Sequence, residues 1–133
     1  MEKNIQAQSF YMKIIEIWKK HILHELETEG RTLKEDSIYH QEAKEHLKAI
    51  LVFFDALHGK HNEKTAQCNV AFALVMLQTG TVMVALEYLE QAYTILQNDP
   101  GEFDPKTVEV AELIKKIETM EREDEEGEMA EME

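Results

Sequence analysis

The sequence predicts an all-α protein, an α-solenoid of helical hairpins with about five helices, and three observations carry that expectation. Apolar residues recur at steps of three and four along most of the first 120 residues, the period of one buried helix face. Only two prolines and five glycines punctuate the 133 residues, and the long periodic stretches between them favour helices over many short strands. The third observation is self-similarity. Shifted by 42 residues, the middle of the chain falls on its own later part.

Each helix follows from its own spacing and punctuation. The first covers Gln8 to Glu29, where Phe10, Ile14, Ile17, Trp18, Ile22 and Leu26 step by three and four, and Gly30 fits its end. A polar segment follows, in which Asp36 or Ser37 suits the cap of a second helix running to His58. That helix turns Ala43, Leu47, Ile50, Leu51, Phe54 and Leu57 to one side, and Gly59 ends it. The third runs from Lys64 to Thr79 and stops at Gly80. The fourth, Thr81 to Gln97, stops before Asp99-Pro100-Gly101, a strong turn signal. The fifth opens at Asp104-Pro105, a cap followed by proline at the first helical position, and carries Val108, Val110, Leu113, Ile114 and Ile117. Residues 1–120 are therefore read as the helical domain. Beyond Met120 the period dissolves: residues 121–133 hold eight acids and one arginine, which predicts a disordered acidic tail.

The repeat ties these elements together. Ala43, Leu47 and Ile50 of the second helix fall on Ala85, Leu89 and Ala92 of the fourth, Gly59 falls on Gly101, and Thr65 on Thr107. The linkers GKHNEKTA and GEFDPKTV match in length. A small residue at Ala43 or Ala85 lets two helices approach closely, and the leucine four later fills the groove one turn on. Two helices per repeat, ending on the same glycine, indicate stacked hairpins.

Charge and composition exclude several function classes. The net charge of −13 is unevenly placed, since the last 13 residues supply −7 and the preceding 120 only −6. Neither part offers the basic patch that nucleic acid or an anionic membrane demands. The first ten residues lack the apolar core of a signal peptide, and the longest apolar run, Val70 to Leu77, is eight residues against the roughly 20 a spanning helix needs. A cytoplasmic protein is expected. The single cysteine, Cys68, lies in that apolar region and reads as a small buried hydrophobe in a reducing compartment. His21 and His24, three apart, and His58 and His61, flanking Gly59, lack the three or four converging ligands of a metal site and read as solvated. No nucleophile elbow, phosphate-cradling loop or dinucleotide fingerprint occurs, so no enzyme, cofactor or small-molecule substrate is expected.

From residue 40 to 120 the chain resembles the tetratricopeptide repeat in the 42-residue form of kinesin light chains. The residues that carry the likeness are Ala85, Leu89 and Ala92, then Gly101, Pro105 and Thr107 in the linker. The earlier linker keeps Gly59 and Thr65 but not the proline. Ala73 falls on the repeat's small first-helix position, and Asn69, Phe72 and Met76 on packing positions. More narrowly, the opening YMKIIEIWKKHIL with the hairpins after it is similar to the carboxy-terminal part of ciliary proteins that join a MYND-type zinc finger to such repeats. That family is associated with axonemal inner dynein arms. One cysteine cannot supply the finger's ligands within this chain.

The resemblance implies a scaffold or adaptor whose partner is a protein. It also implies a concave surface lined by the first helix of each hairpin, to which the third helix contributes Gln67, Val70, Leu74, Leu77 and Gln78. The run VAFALVML is apolar all round and needs cover on every side. Two covers stay open: the first helix folded across the groove, or a helix or extended segment of a partner protein. Val70, Ala71 and Leu74 stand where chaperone-tail-binding relatives hold a carboxylate, so no such clamp is expected. A second candidate interface is the aromatic set Phe10, Tyr11 and Trp18, with Tyr39, at the amino end. The competing readings are the regulatory carboxy-terminal half of a SET/MYND-type methyltransferase and a self-associating helical bundle.

Overall fold

Helix ends in this chain are set by side chains that bond the backbone and by glycines. The computed structural model describes the backbone of residues 2–29 and 37–132 and the side chains of residues 5–28 and 37–122. Gly30 and Asp36 lie outside the described residues. The fold is all-α, with α1 (Glu2–Glu29), α2 (Ile38–His58), α3 (Glu63–Gln78), α4 (Val82–Leu96) and α5 (Pro105–Met132), and a wide turn over Gln97–Gly101. Ser37 caps α2, its hydroxyl accepting from His40 N–H at 3.4 Å. Asn62 caps α3 in the same way through Lys64 N–H at 2.8 Å, and Asp104 receives Lys106 N–H at 3.0 Å beside the start of α5. Asn62 and Asp104 are 42 residues apart, as are Gly59 and Gly101, both with positive φ (83° and 130°). Gly80, at φ 99°, turns α3 into α4: Thr81 N–H reaches back to Met76 O at 3.0 Å and Gly80 N–H to Leu77 O at 3.4 Å, the paired bonds of a Schellman end. Asp99 has extended backbone and breaks the helical path in the wide turn.

The core is organised around α3. Helices α1, α2 and α4 pack on it, α5 packs on α4, and every residue from Thr65 to Gln78 is buried. The repeat positions meet where two helices approach closely: Ala43, Leu47, Ala85, Leu89 and Ala92 are all buried. Phe72 stands edge-on to Tyr88 across the α3–α4 contact, with ring centroids 5.0 Å apart. Two buried threonines close the linkers, Thr65 Oγ1 donating to Gly59 O at 3.0 Å and Thr107 Oγ1 to Leu96 O at 3.1 Å.

The outer elements differ from expectation. Helix α1 starts at Glu2 and buries Ile15, Ile22 and Leu26, while Phe10 and Ile17 of the expected face point outward. Seven of the nine residues from Phe10 to Trp18 are apolar, so periodicity alone admits more than one inward face, and packing on α3 selects the ridge through Ile15. Helix α5 stays helical through Met132, across the acidic run read from sequence as a disordered tail. Glutamate, methionine and alanine are strong helix formers and extend a helix once it is anchored. Its side chains past Arg122 lie outside the described residues. No helix among the described residues is long and apolar enough to cross a membrane.

Candidate interaction surfaces

The five groove residues expected from sequence sit together on α3, and α1 covers them. Val70, Leu74, Leu77 and Gln78 are fully buried, and Gln67 is 9 % exposed. The groove is therefore filled within the chain, and these residues do not form an open docking surface. The physical reason is the helix that is apolar all round: α1 supplies the side of cover that α2 and α4 leave missing. Polar residues on α3 fix the seating of α1. Lys19 donates to Gln67 Oε1 at 3.2 Å and pairs with Glu109 of α5 at 2.9 Å. At the other end Gln78 donates to Glu25 Oε2 at 2.5 Å, and its Oε1 meets His40 Nε2 at 2.8 Å. His40 Nδ1 lies 2.8 Å from Ser37 Oγ, and Trp18 stands edge-on to His40. This network joins α1, α2 and α3, and sequence reading missed it. The one available signal was an amide and a histidine beside apolar runs, since a buried amide requires partners.

The amino-end aromatics divide between core and surface. Tyr11 packs edge-on against Phe53 and Phe54 of α2, with ring centroids 5.1 and 6.4 Å apart, and Trp18 is half-buried beside His40. Both are spent on the α1–α2 contact. Phe10 is 61 % exposed and Ile17 65 % exposed, with half-buried Ile14 between them. Residues seven apart on a helix share a face, so these three form an apolar stripe on the outside of α1. Tyr39, at the start of α2, is also exposed.

Cys68, His21, His58 and Lys106 are each held by a partner within the fold. Cys68 is fully buried and donates its thiol to Leu47 O at 3.4 Å, and desolvation pushes its pKa up to about 12, so it stays protonated. His21 pairs with Glu25 at 2.8 Å, and His58 meets Gln8 at 2.7 Å. Among the described residues no three His, Cys, Asp or Glu side chains converge as a metal site would require. Lys106 pairs with Glu63, and that hydrogen bond raises the lysine's pKa.

Two clefts open on either side of α3. One, of about 680 Å³, lies between α1 and the start of α5 and is bridged by the Lys19–Glu109 pair; it is the open remnant of the groove and reaches Gln67. The other, of about 750 Å³, lies between α2 and α4 over Thr65 and Asn69 of α3. Compared with known proteins, the chain matches no family model, no curated protein and no solved structure.

Proposed function

We propose that this chain is a non-catalytic interaction scaffold, a solenoid segment of tetratricopeptide type that binds another protein. One observation carries the reading: the 42-residue recurrence in the sequence is matched by like local features at several of its paired positions. The capping residues Asn62 and Asp104, the turning glycines Gly59 and Gly101, and the buried pairs Ala43 with Ala85 and Leu47 with Leu89 occupy corresponding places. Stacked repeats of this kind are built for extended binding surfaces.

With the inner groove filled by α1, the partner-binding surface is placed on the outer stripe of α1, Phe10–Ile14–Ile17. Its occupant is a helix of the partner laid along those three residues. The sequence likeness to ciliary repeat proteins supports a narrower version, in which the chain is a cytoplasmic subunit of a dynein-associated complex of the cilium or flagellum axoneme. Affinity capture on the immobilised chain from ciliated and non-ciliated cells, read by mass spectrometry, tests both statements. A saturable protein partner enriched in the ciliated lysate is expected. No partner in either lysate contradicts the scaffold reading, and an equal partner in both contradicts the ciliary one. Light scattering that gives a dimer or higher species favours the self-associating bundle instead.

A further inference from the structure

The α2–α4 cleft holds two polar groups that the fold leaves without partners. Asn69 is 5 % exposed, lines the cleft, and makes no hydrogen bond among the described residues. Asp55 lines the same cleft from α2, and its Oδ1 is sealed from solvent with no hydrogen-bond partner among the described residues. Buried polar groups in folded proteins are almost always paired, so a nearly buried amide that lines the cleft without a protein partner calls for an explanation. Neighbours do not supply it. The Thr65 hydroxyl is committed to Gly59 O, and the Tyr88 ring is held by Phe72.

The lining states what would suit the cleft. Asp55 accepts hydrogen bonds through Oδ2, since its Oδ1 is sealed, and Asn69 can accept one through Oδ1. Glu87 and Glu90 add carboxylates from α4, against Lys60 and His61 from the linker, so the lining is net negative. Leu51 and Ile95 offer apolar walls, and Tyr88 an aromatic ring. A group that suits this lining carries several N–H donors and positive charge on an aliphatic stem. The methylenes lie on Leu51 and Ile95, and the cation meets the carboxylates and the ring face. Guanidinium fits better than ammonium, because its planar fork points donors at two separate acceptors at once. A volume of about 750 Å³ also leaves room for the backbone that bears the side chain.

We propose that the cleft between α2 and α4 binds an arginine side chain presented by a partner protein, with Asp55 and Asn69 as its acceptors. The site is separate from the stripe on α1. It rests on the scaffold reading only for the source of the arginine. The test is a titration of the isotope-labelled full chain with N-acetyl-arginine amide, followed by amide NMR shifts, with the lysine and norleucine amides as controls. Saturable shifts are expected at Asn69, Tyr88 and Gln91 with arginine, weaker with lysine and absent with norleucine. Asp55→Asn and Asn69→Leu should each weaken arginine binding at least tenfold. Asn69→Leu should melt no lower than the parent, since it replaces an unpartnered amide by an apolar group. Norleucine equal to arginine, lysine tighter than arginine, or unchanged binding in both variants overturns the proposal. A lowered melting temperature in Asn69→Leu also overturns it, because the amide would then be partnered inside the fold. The probe is a free amino-acid derivative, so failure here is distinguishable from failure of the scaffold reading in a capture experiment.

Discussion

Cys68 and Gln78 show how single side chains in α3 are committed to the fold. The thiol of Cys68 titrates near 9 in an open chain and is held up to about 12 in the fold. The unfolded state therefore loses its proton first as pH rises. The stability associated with this thiol is fully present below pH 9 and is lost progressively towards pH 12, by about 1.4 kcal/mol per pH unit while the two states differ. Urea unfolding across that range should give a shallower alkaline decline for Cys68→Ala than for the parent; parallel curves would contradict the assignment. Gln78 serves two partners, so Gln78→Leu leaves His40 Nε2 and Glu25 Oε2 without this bond in one step. That substitution should cost about 1–3 kcal/mol in the same experiment. None of this pairing was legible in the sequence, because the partners of Gln78 stand 38 and 53 residues away. Burial of Cys68, by contrast, was legible from the apolar residues around it.

At the scale of the element, punctuation was read well and orientation less well. Ser37 caps α2 as the sequence suggested, Gly59 and Gly80 turn the chain with positive φ, and α5 begins at Pro105. These signals are local, since a cap or a left-handed glycine depends on neighbours two to four residues away. The inward face of α1 is a tertiary choice among competing apolar residues, and spacing could not make it. The close approach between α3 and α4 depends on Ala85, which is fully buried. Ala85→Glu should overpack that contact and bury an unpaired carboxylate, costing on the order of 3 kcal/mol or more. Thermal unfolding checks it, and a variant as stable as the parent would mean that the two helices do not meet at this residue.

Taken whole, the molecule spends its longest described apolar surface on itself. Helix α3 is closed by α1, α2 and α4, so the groove that the sequence left open between two covers belongs to α1. What α1 leaves outside is the stripe of Phe10, Ile14 and Ile17, opposite in character to the polar outer face of α5, where Glu112, Lys115, Lys116 and Glu118 stand. The proposed partner helix lies along that stripe. Phe10→Asp with Ile17→Asp tests this most directly, because both side chains are more than half exposed and charging them costs the fold little. The double variant should keep its helical circular dichroism and its melting temperature while capture of the parent's partner falls at least tenfold, or about 1.4 kcal/mol. Retained helicity with undiminished capture would contradict the placement of the binding surface on α1.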